Sequence, residues 1–287
     1  MTGRRAAFSA VFRRELATVL RTPGYGLLAV GLLAALGGFV VVGGGGATGF
    51  VPAIVDLLLP TEALVPLVAV GIGYRALLTD ASSGELAVIR TYGVGAVTYV
   101  LAVLLARLLA LAALVGVPYL LVGGYIWAAA APDTGIYATH TGVDSPLLFV
   151  RFLAFVMCLG AAYLAAAAAV STLASSRRSA LALGGILLVG GVFGGDLAVL
   201  RSLGDSVAVG ELAGLVAATP NGAFRGLVFE YVVALAFDAG GGYVAPGRAL
   251  ATLLGWTAIG TAVAVAALGV GRHAGTHVER VRRRYLQ

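Results

Sequence analysis

The 287-residue chain contains no lysine; all 19 of its basic residues are arginine. A phosphate-gripping P-loop needs a lysine, and Schiff-base chemistry needs a lysine amine. Neither occurs here, so if ATP drives this protein, another polypeptide hydrolyses it. The single cysteine, Cys158, excludes an internal disulfide. With Met157 and Met1 it is one of the few soft ligands, which argues against a path for copper. Charge is scarce too: 11% of residues are charged and 60% hydrophobic, with a mean hydropathy of +0.99. A soluble domain carries about 25% charged residues. A chain this poor in charge cannot cover a water-facing surface, so lipid is its main solvent.

What is present fits an all-α integral membrane protein. Six apolar stretches, near 25–46, 52–74, 107–131, 147–174, 180–200 and 249–271, are each long enough to cross about 30 Å of hydrocarbon as a helix. Together they make residues 1–287 a single transmembrane domain. The N-terminus lacks the order of a signal peptide, because its basic residues are spread through a helical pattern. Glycine is abundant, 42 of 287 residues. Either small residues bring helices close together, or the composition is simply biased.

Orientation follows from arginine. With both termini cytoplasmic, 15 arginines fall inside and 4, Arg151, Arg201, Arg225 and Arg248, at the outer side. Acidic residues lean outward: Asp56, Glu62, Asp133, Asp144, Asp196, Asp205, Glu211, Glu230 and Asp238. The net charge of +6 therefore reads as topology and not as a nucleic-acid surface.

Three segments outside the spans stand out. Residues 4–22 read as an interfacial amphipathic elbow helix, with Phe8, Val11, Phe12, Leu16, Val19 and Leu20 on one half and Arg13, Arg14 and Arg21 on the other. Glu15 falls inside the apolar arc. It is expected to snorkel to the interface, the alternative being a pair with an arginine elsewhere in the bundle. Thr22, Pro23 and Gly24 then break the helix.

Residues 75–106 form a cytoplasmic region with a short helix after Gly84. Glu85 occupies its first turn, where a negative charge suits the helix dipole. Leu86 and Ile89, and more loosely Val88 and Tyr92, make an apolar face, while Arg90 points elsewhere; Gly93 and Gly95 end the helix. A partnerless interfacial loop helix would look the same. Arg107 is expected at the inner interface, because an arginine at the bilayer centre costs about 2.5–3.5 kcal/mol.

The outer segment 201–248 holds two apolar helical patterns, about 207–218 and 221–237, parted by Thr219, Pro220 and Asn221 and ended by the glycines 240–242. They read as short outer helices or a re-entrant pair. Asp196, near the outer end of the fifth span, is a pathway residue or an ordinary interface residue. His273 and His277 have a metal-compatible spacing, but Glu279 is the only further ligand near them, and no metal site is expected.

Residues 8–23, from Phe8 through Arg13, Arg14, Glu15, Leu16 and Arg21 to Pro23, resemble the elbow of type-2 ATP-binding-cassette exporter permeases. Gly84, Leu86, Ile89, Tyr92 and Arg107 fill places similar to that family's coupling region. The acidic approach is replaced by Asp80, Ala81, Ser82 and Ser83, and the turn proline by Gly93, Val94 and Gly95. Pro220 through Ala223, Phe224 and Arg225 is similar to a segment of the branch related to nitrous-oxide-reductase maturation permeases, and the resemblance extends over the six-span layout.

The resemblance implies the permease subunit of an exporter in the plasma membrane. It pairs with a second copy or a related permease, is surrounded by lipid, and binds no cofactor, since ATP sits on a cytoplasmic ATPase subunit. Leu86 and Ile89 would anchor the helix in the ATPase groove, with Glu85 and Arg90 at its rim. Asp196, Phe224 and Arg225 would be pathway or outer-gate residues. Two other readings stand beside it. One is a membrane component that passes ATPase motion to an outer partner without transporting. The other is a membrane-embedded enzyme, for which the spans lack a polar constellation, and no catalytic residue is expected.

Overall fold

A computed structural model describes residues 2–134, 144–204, 214–235 and 244–284. Among them every regular element is a helix: α1 (Thr2–Leu20), α2 (Pro23–Gly43), α3 (Phe50–Gly73), α4 (Leu78–Ser82), α5 (Glu85–Thr91), α6 (Ala96–Thr134), α7 (Pro146–Leu173), α8 (Arg177–Gly204), α9 (Pro220–Val228) and α10 (Pro246–Arg284). A 3-10 turn, Gly45–Ala47, joins α2 to α3, and α9 runs on into π-helical Phe229–Val233. Among the described residues six helices are long and apolar enough to cross a membrane: Pro23–Gly43, Phe50–Ser82, Ala96–Ala130, Pro146–Leu173, Arg177–Ser202 and Pro246–Gly269. Asp205, Glu211, Asp238, most of the pattern at 207–218 and the glycines 240–242 lie outside the described residues. So do the side chains of Asp133, His273, His277, Glu279 and the arginines beyond residue 270.

The third long helix joins two pieces that the sequence suggests separately, an apolar helix from Val97 to Leu105 and a span from 107. It starts at Ala96 and runs through Arg107 unbroken, once Gly93 and Gly95 have ended α5. Arg107 is thus interior to α6 and not at its threshold.

Helix starts are written in the sequence. Ser145 before Pro146 caps α7, its hydroxyl accepting from the Leu147 amide, and Thr219 before Pro220 caps α9, accepting from Gly222. The carboxylate of Asp144 reaches α3 from 94 residues away and accepts from the Phe50 amide at 2.8 Å. Asp56 accepts from the Gly45 amide at 2.9 Å. These two acids cap backbone, which is what a negative charge beside orphan amides does.

At the centre, α7 packs against both α3 and α10. Small residues make this possible. A Cβ on Gly260 of α10 would stand 2.6 Å from the Ala165 carbonyl carbon, and one on Gly73 of α3 would stand 2.6 Å from the Ala167 Cβ. These glycines are the contact surface, as in closely packed membrane helices. By contrast α8 leaves Ile186, Val189, Phe193, Leu197 and Leu200 exposed along one side. A continuous apolar surface of that size needs an apolar neighbour, lipid or protein.

Candidate functional site

Two polar clusters lie in the bundle, one at the end that carries α5 and one beside α9. The first is assembled from side chains of four helices and a backbone carbonyl of a fifth. Arg14 of α1 donates to Asp80 of α4, to Glu15 at 3.0 Å and to Glu85, the first residue of α5, at 3.2 Å. Tyr99 of α6 donates its hydroxyl to Asp80 at 2.6 Å. Two turns further along α6, Arg107 donates to Glu15 at 3.0 Å and to the Ile72 carbonyl. That carbonyl lies in the last turn of α3, where helical acceptors lack partners. Glu15, Asp80 and Arg107 are 4%, 5% and 8% exposed. Charges this deep persist only when paired and hydrogen-bonded.

Burial works against the charge of Arg14, but its hydrogen bonds and proximity to Asp80 and then Glu15 outweigh that effect. The guanidinium is held protonated more firmly than an ordinary arginine. It joins a buried carboxylate, Asp80, to an exposed one, Glu85. Glu15 therefore does not snorkel: its place in the apolar arc turns it toward α6, and Arg107 meets it there. Arg107 likewise is buried among the helices. On α1, Val11, Glu15 and Val19 are buried, Phe8 and Phe12 stack on each other with centroids 6.2 Å apart, and Arg13 and Arg21 are exposed.

The short helix α5 corrects a second expectation. Gly84 caps it with φ +82, in the left-handed region that favours glycine. Leu86 is 7% exposed and joins the chain's own core, and Ile89 packs against that core. The apolar stripe thus holds α5 down, and the outward side chains are Val88, 58% exposed, and Tyr92, 81% exposed. Arg90 also turns inward, donating to the Leu268 carbonyl of α10 at 2.8 Å. The helix is fastened to α1 through Glu85 and to α10 through Arg90.

The second cluster surrounds Arg225 of α9. Its Nε donates to Glu62 at 2.7 Å, and a terminal nitrogen donates to the same carboxylate. Both terminal nitrogens reach Asp196 of α8 at 3.1 Å. Beside it, Asn221 accepts from the Tyr163 hydroxyl at 2.7 Å and donates to the Glu62 carbonyl at 2.9 Å. Pro66 explains the second bond: lacking an amide hydrogen, it leaves the carbonyl four residues earlier without a helical donor. Glu62 lies mid-helix in α3, so α9 reaches well into the bundle. Asp196 is brought to Arg225 as a pair. Phe224 is fully buried against Phe152, with centroids 6.0 Å apart, and has no free face for a pathway.

Sequence reasoning passed over Asp80, Tyr99 and the binding role of Glu62. A carboxylate or tyrosine within an apolar run was the available signal. Among the described residues no group of three or more His, Cys, Asp or Glu side chains forms a metal site. No family model matches the chain, and no curated protein matches it.

Proposed function

We propose that this chain is the permease subunit of an ATP-binding-cassette transporter, an exporter in the plasma membrane, driven by a separate cytoplasmic ATPase. The observation that carries this reading is the double fastening of α5. It is held on its inward side by Leu86 and Arg90 and at its exposed first turn by the Glu85 pair with Arg14, and its outward side offers Val88 and Tyr92. A helix that must transmit displacement needs both: apolar anchors for a partner, and stiff connections to more than one element of its own bundle. The elbow reading of α1 and the pairing of two such subunits belong to the same proposal, and the exposed side of α8 supports a need for apolar neighbours.

The test is co-purification of this chain with candidate cytoplasmic ATP-binding-cassette ATPases. Val88→Asp and Tyr92→Ala should each abolish the complex and leave the permease folded and monodisperse. Retained association in both variants removes α5 as the coupling element. A second reading is favoured by one feature, the Arg225 cluster that ties α9 into α3 and α8. In it the chain passes ATPase motion to an outer partner instead of transporting. ATP-dependent accumulation of a solute in proteoliposomes separates the two.

A further inference from the structure

Beside the α5 end lies a cavity of about 1600 Å³, walled by α1, the start of α6 and α10. Each helix contributes to it in a graded way. On α1 the exposed Arg4 and Arg5 are followed one turn on by Phe8. On α6 Val97 stands at the helix start and Leu101 one turn deeper, and Val265 of α10 completes the apolar part. Among the described residues no Asp or Glu lines the cavity, so none of them cancels the two guanidinia. The arginines and the apolar side chains share one half-open groove, in which Val97 and Leu101 remain 55% and 44% exposed and so available to an acyl chain.

We infer that this cavity holds a single anionic phospholipid, its phosphate on Arg4 and Arg5 and an acyl chain against Phe8, Val97, Leu101 and Val265. Arginines select phosphate by their forked donors, and basic pockets between membrane helices take anionic headgroups. A soluble anion would leave the apolar walls empty, and a neutral lipid would leave the guanidinia without a counter-charge. Tyr92 also lines the cavity. The lipid therefore lies against the side chain that α5 presents outward, and its presence would set the position of that ring. The inference rests on the membrane placement of the six long helices and not on the transporter reading.

The experiment uses the full-length chain, delipidated in a neutral detergent, with no ATPase present, so its outcome is independent of the coupling proposal. Dioleoyl phosphatidylglycerol and dioleoyl phosphatidylcholine are titrated, and binding is followed by native mass spectrometry. Phosphatidylglycerol should bind roughly tenfold or more tightly than phosphatidylcholine, about what two interfacial arginines supply. The Arg4→Gln/Arg5→Gln variant should lose that preference. Arg13→Gln, exposed on the same helix but outside the cavity, should keep it. Glycerol phosphate at the same concentration should not compete. Equal binding of the two lipids overturns the inference, as does a preference that survives in the double variant or falls equally in Arg13→Gln. Full competition by glycerol phosphate also overturns it, since the site would then be one for a soluble anion.

Discussion

Arg107 and Glu15, 92 residues apart in the chain, meet at 3.0 Å inside the bundle, and their contact fixes α1 against α6. Removing one partner of a buried pair leaves a charge without compensation, which costs about 3–5 kcal/mol. Glu15 retains a hydrogen bond from Arg14, so Arg107→Leu should cost about 3 kcal/mol, at the low end of that range. Pairing it with Glu15→Leu should recover much of the loss. Unfolding of the detergent-solubilised protein measures this, and simple additivity of the two changes would show that the pair is not coupled.

Arg14 supplies an internal comparison, since one guanidinium holds a buried carboxylate and an exposed one. Asp80→Ala should cost about 2 kcal/mol, through lost charged hydrogen bonds from Arg14 and Tyr99. Glu85→Ala, at an exposed pair, should cost under about 1 kcal/mol. Thermal shifts of the two variants in one detergent decide the order, and a reversed order refutes the account.

The Asn221 to Glu62 carbonyl bond predicts an unusual rescue. Asn221→Leu strands a buried carbonyl and should cost about 1–3 kcal/mol. Pro66→Ala returns an amide hydrogen to that carbonyl from within α3, so part of the loss should be regained in the double variant. If Pro66→Ala is equally harmful with and without Asn221, the proline gap is not what the asparagine fills.

Glycine at the α7–α10 contact should be irreplaceable where its neighbour should not be. Gly260→Ala places a methyl group against the Ala165 backbone and should cost about 1–3 kcal/mol. Gly255→Ala, on the same helix with nothing within 4 Å of the new carbon, should stabilise by about 0.5–1 kcal/mol. Equal effects would mean that the helices separate freely at this point.

The helix count and most boundaries were readable from hydropathy because a 20-residue apolar run admits few alternatives. Arg107 misplaced the third boundary, for charge near lipid is costly and a lone arginine looks like an edge. Its compensation arrives from Glu15, and a pair formed across 92 residues leaves no local pattern. The sequence did contain half of the answer, a carboxylate on the apolar side of α1. The α5 surface was misjudged for a related reason. Leu86 and Ile89 form its best apolar stripe, and such a stripe is claimed first by the chain's own core, leaving less regular side chains for a partner.

The berth of α9 has a consequence for biogenesis. Tyr163 and Glu62, which receive Asn221, belong to helices made earlier in translation, as does Asp196, the second partner of Arg225. Domains and their parts emerge in chain order. When residues 214–235 leave the ribosome the partners of Arg225 and Asn221 have therefore already been made, and α10, which packs on both α9 and α7, closes over the segment afterwards.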